Sequence, residues 1–229
     1  MNFFATLQQE AAAERDYLLS SPIIGDALAG QISTAQYVAF LKEAYFHVSQ
    51  TVPLLMACGS RLDASHEWLR KAVAHYIEDE YGHEKWIEDD IRACGADPAV
   101  VCAAGPSRAT EIMVSYAWDT VQRRNPVGFF GMVYVLEGTS VALATNAAAK
   151  MRTALGLPES AFTYLDSHGS IDRTHIRFLE DLLSKVDTAG DRAAITHAAK
   201  RFFYLYAEIF RTLPDRAAAL QRPELEQVA

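Results

Sequence analysis

Apolar side chains recur every three to four residues along most of the chain, which is the spacing of amphipathic helices. The clearest example lies near the C-terminus, where Ile195, Ala199, Phe202, Tyr206 and Ile209 follow this spacing and predict a helix over about residues 189–212. No segment shows the alternation of apolar and polar residues that is typical of strands. The pattern therefore predicts an all-α fold.

Capping and turn residues divide the sequence into about seven to eight helices within a single domain, residues 1–229. No linker rich in Pro, Gly or Ser separates two halves. Ser65 and Gly95 bound one long predicted helix, and Asn125-Pro126 opens another. The predicted helices cover about residues 3–19, 34–53 with Pro53 at the end, 65–95, a segment after Ser107, 126–149, 160–186 with an interruption at Gly169 left open, and 189–212.

Composition and charge restrict the classes of partner. Half of the 229 residues are hydrophobic, and the formal net charge is −8. An acidic chain without a basic stripe is a poor candidate for nucleic-acid binding, which requires clustered Lys and Arg. The three cysteines, Cys58, Cys94 and Cys102, do not form a C-x2-C pair, and residues 1–16 lack the features of a signal peptide. These features favour a cytoplasmic protein that does not act on nucleic acid.

Glu137 is the only formally charged residue between Arg124 and Lys150. This stretch is long enough to span a membrane, but a central carboxylate costs about 2.5–3.5 kcal/mol on insertion scales. A helix that is apolar on all sides is otherwise the central helix of a bundle. An ionised carboxylate buried there must be protonated, paired with a base or bound to a metal. We therefore expect a buried site around Glu137 and no membrane span.

The segment DSHGSIDRTHIRFLEDLL contains His168, Asp172 and His175. On a helix, steps of four and three residues place all three side chains on one face. Two imidazoles and a carboxylate on one face can ligate a metal ion. A lone histidine is more often a surface or core residue, but three candidate ligands within eight residues favour a metal site.

A second candidate pair, Glu80 and His83, has the Glu-x-x-His spacing that di-iron helical bundles use. The surrounding residues HYIEDEYGHEKWIEDD are acidic, so a solvent-exposed face is the simpler interpretation of this pair. Gly82 in the middle of a predicted helix costs about 1 kcal/mol, which suggests close packing or the approach of a ligand beside His83. Of the two residues, His83 is the stronger candidate.

The combined ligand set consists of nitrogen and oxygen donors without cysteine. Such a set suits iron or manganese better than structural zinc, which prefers closed tetrahedral sites and often thiolates. Iron is the first choice. Glu137 then acquires a partner, because helices that converge on one polar centre remove the need for an isolated buried charge.

The sequence resembles the heme-oxygenase-like di-iron oxidases, whose fold is shared with thiaminase II and pyrroloquinoline-quinone synthase. The resemblance is carried by His83, by Glu137 in VYVLEG and by the trio His168, Asp172 and His175. The helix pattern extends it over nearly the whole chain. It implies a heme-oxygenase-like fold and a metal-ligand role for these five residues.

The resemblance leaves one carboxylate ligand open, because the family takes it from the second helix or from upstream in the third. Glu80 is our first candidate and His47 a weaker one. Glu43 on the second helix and the region of His75 and Tyr76 are further alternatives. Whether one or two metal ions bind is also left open.

The resemblance implies an enzyme that uses two iron ions and O2 to oxidise a small organic substrate, such as an amine, an amino acid or a fatty acid. It also implies a homodimer. The alternative is a metal-free, cofactor-processing enzyme or ligand-binding protein similar to thiaminase II or the quinone synthase. Candidate residues for the substrate pocket are Tyr45, Phe46, Tyr76, Phe130 and Tyr134, although such aromatic residues are more often plain core.

Overall fold

The computed structural model describes residues 2–220, apart from the side chains of residues 170, 173 and 214–220; residue 1 and residues 221–229 of the predicted domain lie outside this range. The described chain contains α-helices, three short 3-10 helices and no β-strand. The helices are α1 (Phe3–Glu10), α2 (Ala12–Leu19), α3 (Pro22–Leu28), α4 (Thr34–Val48), α5 (Thr51–Arg61), α6 (Glu67–Glu80), α7 (His83–Ala93), α8 (Pro98–Ala103), α9 (Arg108–Arg123), α10 (Phe129–Leu155), α11 (Thr163–Leu183) and α12 (Ala189–Leu220).

The predicted all-α class is confirmed, but the predicted number of seven to eight helices is wrong, since twelve α-helices occur within residues 2–220. Two short helices, α3 and α8, were not predicted, and both begin at a proline in the first helical turn. The predicted first helix is divided at Ala11 into α1 and α2. Short helices of this kind bury only one or two apolar residues, so their periodicity is weak in the sequence.

The helix predicted for residues 65–95 is two helices, α6 and α7, separated by Tyr81 and Gly82. Gly82 has a backbone φ of +90°, a left-handed conformation that side chains with a Cβ rarely adopt. A Cβ added to Gly82 would find no atom within 4 Å, so close packing does not explain this glycine. The interpretation from sequence is corrected: Gly82 is required for a sharp helix break between Glu80 and His83.

The helix predicted to reach Pro53 ends earlier, because α4 stops at Val48 and α5 starts at Thr51. Pro53 lies in the first turn of α5. Backbone N–H groups in a first turn have no partner within the helix, so proline is tolerated there.

Helix α11 runs through Gly169 without an interruption. A Cβ at Gly169 would collide with Thr145 on α10, and one at Gly131 would lie 2.6 Å from the backbone of Ile195 and Ala199 on α12. These two glycines allow α11 and α12 to cross α10 at short range. The absence of a side chain at Gly169 therefore serves helix packing, which brings the predicted trio close to Glu137.

Helix α10 forms the centre of the bundle and packs against α3, α11 and α12. The stretch Pro126–Leu155 is the one candidate among the described residues that is long and apolar enough to cross a membrane, and 61% of its most apolar window is buried. Burial against neighbouring helices is typical of a core helix in a soluble protein.

The N-terminus of α11 is capped by a side chain from α7. The backbone N–H groups of Thr163 and Tyr164 donate hydrogen bonds of 2.9 Å to the two carboxylate oxygens of Asp90, which is fully buried. A carboxylate at this position satisfies two otherwise free donors and interacts favourably with the helix dipole. Asp90 thereby connects the helix that carries His83 to the helix that carries His168.

We expect Asp90→Ala to lower the free energy of unfolding by about 1–3 kcal/mol, because it leaves two buried N–H groups without acceptors. Urea denaturation followed by circular dichroism measures the effect. Asp89→Ala is the matched control, since the neighbouring Asp89 is exposed on the same helix and should cost less than about 0.5 kcal/mol. Equal stability of the two variants would contradict the capping role.

Candidate metal centre

Four helices bring the predicted ligands to one buried location beside α10. Glu80 ends α6, His83 begins α7, and Glu137 lies in the middle of α10. Helix α11 contributes the three remaining residues on one face, as its spacing predicts. The six side chains are Glu80, His83, Glu137, His168, Asp172 and His175.

The first half of the cluster consists of Glu80, His83 and His168. One potential ligand atom from each lies within 4.8 Å of the others, and Nδ1 of His83 is 3.0 Å from Oε2 of Glu80. The ring of His83 stacks on Trp86, with 3.9 Å between the ring centroids. Nδ1 of His168 donates a 3.0 Å hydrogen bond to the carbonyl oxygen of Tyr164, so Nε2 of His168 is the nitrogen available for a ligand.

The second half of the cluster surrounds His175. Its Nδ1 lies 3.4 Å from Oε1 of Glu137, 3.6 Å from Oδ1 of Asp172 and 3.8 Å from Oε1 of Glu80. The two oxygens of Glu80 thus face different histidines, His83 and His175. A carboxylate in this position can bridge two metal ions.

Burial strongly affects the proton affinity of the cluster. Desolvation raises the pKa of Glu137 to about 8, an effect that His175 only partly offsets. Burial would by itself lower the pKa of His175, but the carboxylates of Asp172 and Glu137 raise it to about 10. Glu80 is also buried, yet His83 holds the pKa of its carboxyl group below the usual value. The cluster therefore favours a bound cation, either a proton or a metal ion.

Asp79 orients His175 from outside the cluster. Nε2 of His175 lies 3.2 Å from Oδ2 of Asp79, and as a carboxylate only accepts, Nε2 carries the proton. Nδ1 is then the nitrogen that faces the cluster, where a metal ion would replace its proton. A carboxylate that fixes a ligating histidine in this way is common around protein metal sites. Sequence analysis missed Asp79 because it belongs to the acidic run that was interpreted as solvent-exposed.

We expect Asp79→Asn to weaken iron binding by about 10–100-fold. An amide can donate as well as accept, so it no longer determines which nitrogen of His175 carries the proton. Competition with a chelator of known affinity under anaerobic conditions measures the change. Glu78→Gln removes the same charge from the exposed neighbouring position and should leave the affinity unchanged. Identical affinities in both variants would show that Asp79 has no orienting role.

His47 and Glu43 lie apart from this cluster, although both are buried. Backbone N–H of Ser107 and the hydroxyl of Thr110 donate to Oε2 of Glu43, which therefore caps α9 instead of facing α10. His47 packs edge to face against Tyr206. Burial lowers the pKa of His47 to about 4, so its ring is neutral at physiological pH. The weaker candidate His47 thus lies in the wall near His168, outside both halves of the cluster.

The six clustered side chains fit a metal site. Four of their atoms are buried without a hydrogen-bond partner, namely Nδ1 of His83, Oε2 of Glu137, Oδ1 of Asp172 and Nδ1 of His175. Buried polar atoms in proteins are rarely left unsatisfied, and each one costs about 1–3 kcal/mol. Nδ1 of His83 belongs to the first half of the cluster, and the other three atoms belong to residues of the second half, so a cation bound in each half would satisfy them. The donor set contains only nitrogen and oxygen, which suits iron or manganese.

A cavity of about 160 Å³ adjoins the cluster. Glu80, Glu137, His168 and Asp172 form part of its wall, together with His47 and Tyr76. Of the five aromatic residues predicted to line a pocket, only Tyr76 does so. The other four, Tyr45, Phe46, Phe130 and Tyr134, do not belong to the lining residues, and helical periodicity cannot distinguish a cavity wall from plain core.

The fold is shared with several solved structures. A heme-oxygenase-like domain from Shewanella denitrificans OS217 superposes with a TM-score of 0.85 and 22% identity over 99% of this chain and 98% of its own. A TenA homologue from Pseudomonas syringae pv. tomato gives 0.77 at 12% identity over 95% and 93%, and a heme oxygenase from Leptospira interrogans gives 0.73 at 15% over 92% and 99%. At these identities the similarity establishes the heme-oxygenase-like fold alone. A comparison with curated proteins found no match.

The fold and the buried cluster define a heme-oxygenase-like helical protein with a candidate metal centre. Residues 38–207 match the family described as iron-containing redox enzymes. The chain belongs to this family, as the sequence resemblance implied, and the family indicates an enzyme that contains iron.

Proposed function

We propose that this protein is a non-heme iron oxidase that binds two iron ions and uses O2 to oxidise a small organic substrate. One ion would be held by Glu80, His83 and His168, and the other by Glu80, Glu137, Asp172 and His175. The observation that carries the proposal is the position of Glu80, whose two oxygens face a histidine of each half of the cluster.

The chemistry that a ferrous pair supplies is the reduction of O2 to an oxidant, and the protein supplies the surroundings. The carboxylates of Glu80, Glu137 and Asp172 would balance most of the charge of two divalent ions. Apolar residues of the cavity exclude bulk water, which limits side reactions of an oxidant. Tyr76 lines the cavity, its ring packs against His175, and its hydroxyl is buried without a partner. This hydroxyl is available to hydrogen-bond a bound substrate or O2.

The alternative is a metal-free enzyme similar to thiaminase II, in which a cysteine would be the nucleophile. Burial raises the pKa of both Cys58 and Cys94 to about 12, which disfavours the reactive thiolate. None of the three cysteines is among the residues that line the cavity. These observations support the iron-dependent function over the cysteine-dependent one. The proposal also retains a homodimer in the cytoplasm.

Anaerobic loading with ferrous iron tests the proposal. We expect about two iron ions per chain by elemental analysis and a change in absorbance on mixing with O2. His175→Ala should bind less iron, whereas His197→Ala, which alters an exposed histidine on α12, should match the native protein. Protein that retains no iron and shows no absorbance change with O2 would contradict the proposed oxidase. Retention of manganese instead of iron would contradict the choice of metal.

A further inference from the structure

The residues that line the cavity are polar at the metal cluster and apolar along α10. Side chains of α10 line it from Met132 to Met151, including Leu143, Ala144 and Ala147. The fourteen residues from Glu137 to Met151 correspond to about 21 Å along a helix axis. One long apolar arm of the cavity therefore extends away from the cluster along the C-terminal half of α10.

Helix α3 covers this apolar arm. Its residues Ile23, Ile24, Ala27 and Leu28 line the cavity with apolar side chains. A Cβ on Gly30 would lie 3.0 Å from Cβ of Ala154, which shows that the turn after α3 packs directly on the last turns of α10. The part of the wall that α3 contributes is thus apolar as well, so the arm is bounded on two sides by aliphatic groups.

Charged side chains of the lining are confined to the cluster. Glu80, Glu137 and Asp172 are the acids, and no Lys or Arg occurs among the lining residues that the structure describes. The remaining polar groups of the arm are neutral, for example Ser140 and Gln36. A charged group placed in the arm would lose its hydration without gaining an opposite charge, at a cost of several kcal/mol.

We infer that the substrate is an aliphatic molecule with one polar end group, whose chain occupies the apolar arm while the polar end faces the metal cluster. This inference rests on the proposed function only for the position of the polar end group at the metal cluster. The binding of the aliphatic chain depends on the cavity lining alone. It disfavours diamines and lysine, because their second charged group would lie in the arm, where the lining offers no opposite charge.

The length of the substrate chain should control affinity. Burial of each methylene group contributes about 0.8 kcal/mol, so the dissociation constant should fall about threefold to fourfold per added carbon until the arm is filled. Calorimetric titration with 1-alkanols from butanol to dodecanol measures this series in metal-free protein. The corresponding alkanoates and alkylamines, measured with and without ferrous iron in the absence of O2, show which end group the metal cluster accepts.

A bulky residue in the arm should shorten the preferred chain. We expect Ala147→Phe to end the gain in affinity at a chain several carbons shorter than in native protein, with unchanged iron content. Ala149→Phe is the matched control, because Ala149 is exposed on the same helix. Lysine, whose side-chain ammonium group would lie in the arm, should bind at least about 100-fold more weakly than an alkanol of similar size.

Affinity that is independent of chain length in native protein, or lysine that binds as tightly as an alkanol of similar size, would overturn the inference. The metal-free series separates this failure from that of the proposed function. Affinity that depends on chain length in a protein that binds no iron would support the inferred ligand class and contradict the proposed oxidase. Two bound iron ions together with affinity that does not depend on chain length would support the oxidase and contradict the ligand class.

Discussion

Substitution of Glu80 by Gln should abolish most iron binding, because the two oxygens of Glu80 face a histidine in each half of the cluster. An amide is neutral and offers a single acceptor oxygen, so it cannot bridge two cations. We expect the iron content after anaerobic loading to fall from about two ions per chain to less than one. Affinity for the remaining ion should be at least about 100-fold weaker, as the loss of a buried charge partner costs about 3–5 kcal/mol.

Glu84→Gln provides the control for this experiment. Glu84 lies in the first turn of α7, one residue after His83, and is not among the lining residues of the cavity. The Glu84→Gln substitution removes the same charge near the cluster and should leave about two iron ions bound. If Glu80→Gln retains two ions, or if both variants lose iron equally, the bridging role of Glu80 is wrong.

Glu137→Gln should stabilise the metal-free protein while removing one iron ion. Burial raises the pKa of Glu137 from 4.5 to about 8, so folding favours its protonated form. Ionisation of Glu137 therefore lowers the free energy of unfolding. This effect is absent below about pH 4.5, grows as the pH rises and is complete above about pH 8. At pH 9 we therefore expect the free energy of unfolding of the variant to exceed that of native protein by about 2–4 kcal/mol. At pH 5 we expect a much smaller difference.

Urea denaturation of chelator-treated protein at both pH values measures this difference. Glu180→Gln, at an exposed position on α11, controls for the loss of one negative charge and should change stability by less than about 0.5 kcal/mol. Iron loading should show one ion retained by Glu80, His83 and His168. A variant that is less stable than native protein at pH 9 would contradict the buried, unfavourable carboxylate. Greater stability after loss of a functional group is typical of sites under strain.

Much of the candidate site could be predicted from local spacing. The H-x3-D-x2-H spacing puts His168, Asp172 and His175 on one face of any helix, because the period of an α-helix is independent of its surroundings. The lone acid Glu137 in an apolar stretch indicates a buried site for a similar reason, since burial of an unpaired charge is costly wherever it occurs. The all-α class follows from the same periodicity.

Three acidic residues, Asp79, Glu80 and Glu43, illustrate what the spacing of residues in the sequence does not reveal. Asp79 and Glu80 belong to one acidic run, yet Asp79 orients His175 and Glu80 faces two histidines. Conversely, Glu43 is a buried acid on α4 but caps α9. The role of an acidic residue depends on which helix lies opposite, and that helix is distant in sequence.

The all-helical class, the buried position of Glu137 and the shared face of His168, Asp172 and His175 follow from the amino-acid sequence, because they depend on interactions within one helix or on the cost of one buried charge. The separation of α6 from α7, the place of Glu80 rather than Glu43 in the cluster and the apolar arm along α10 become visible in the folded structure. Those features depend on close crossings between helices, at Gly131 and Gly169 for example, where contacts form between residues far apart in the chain.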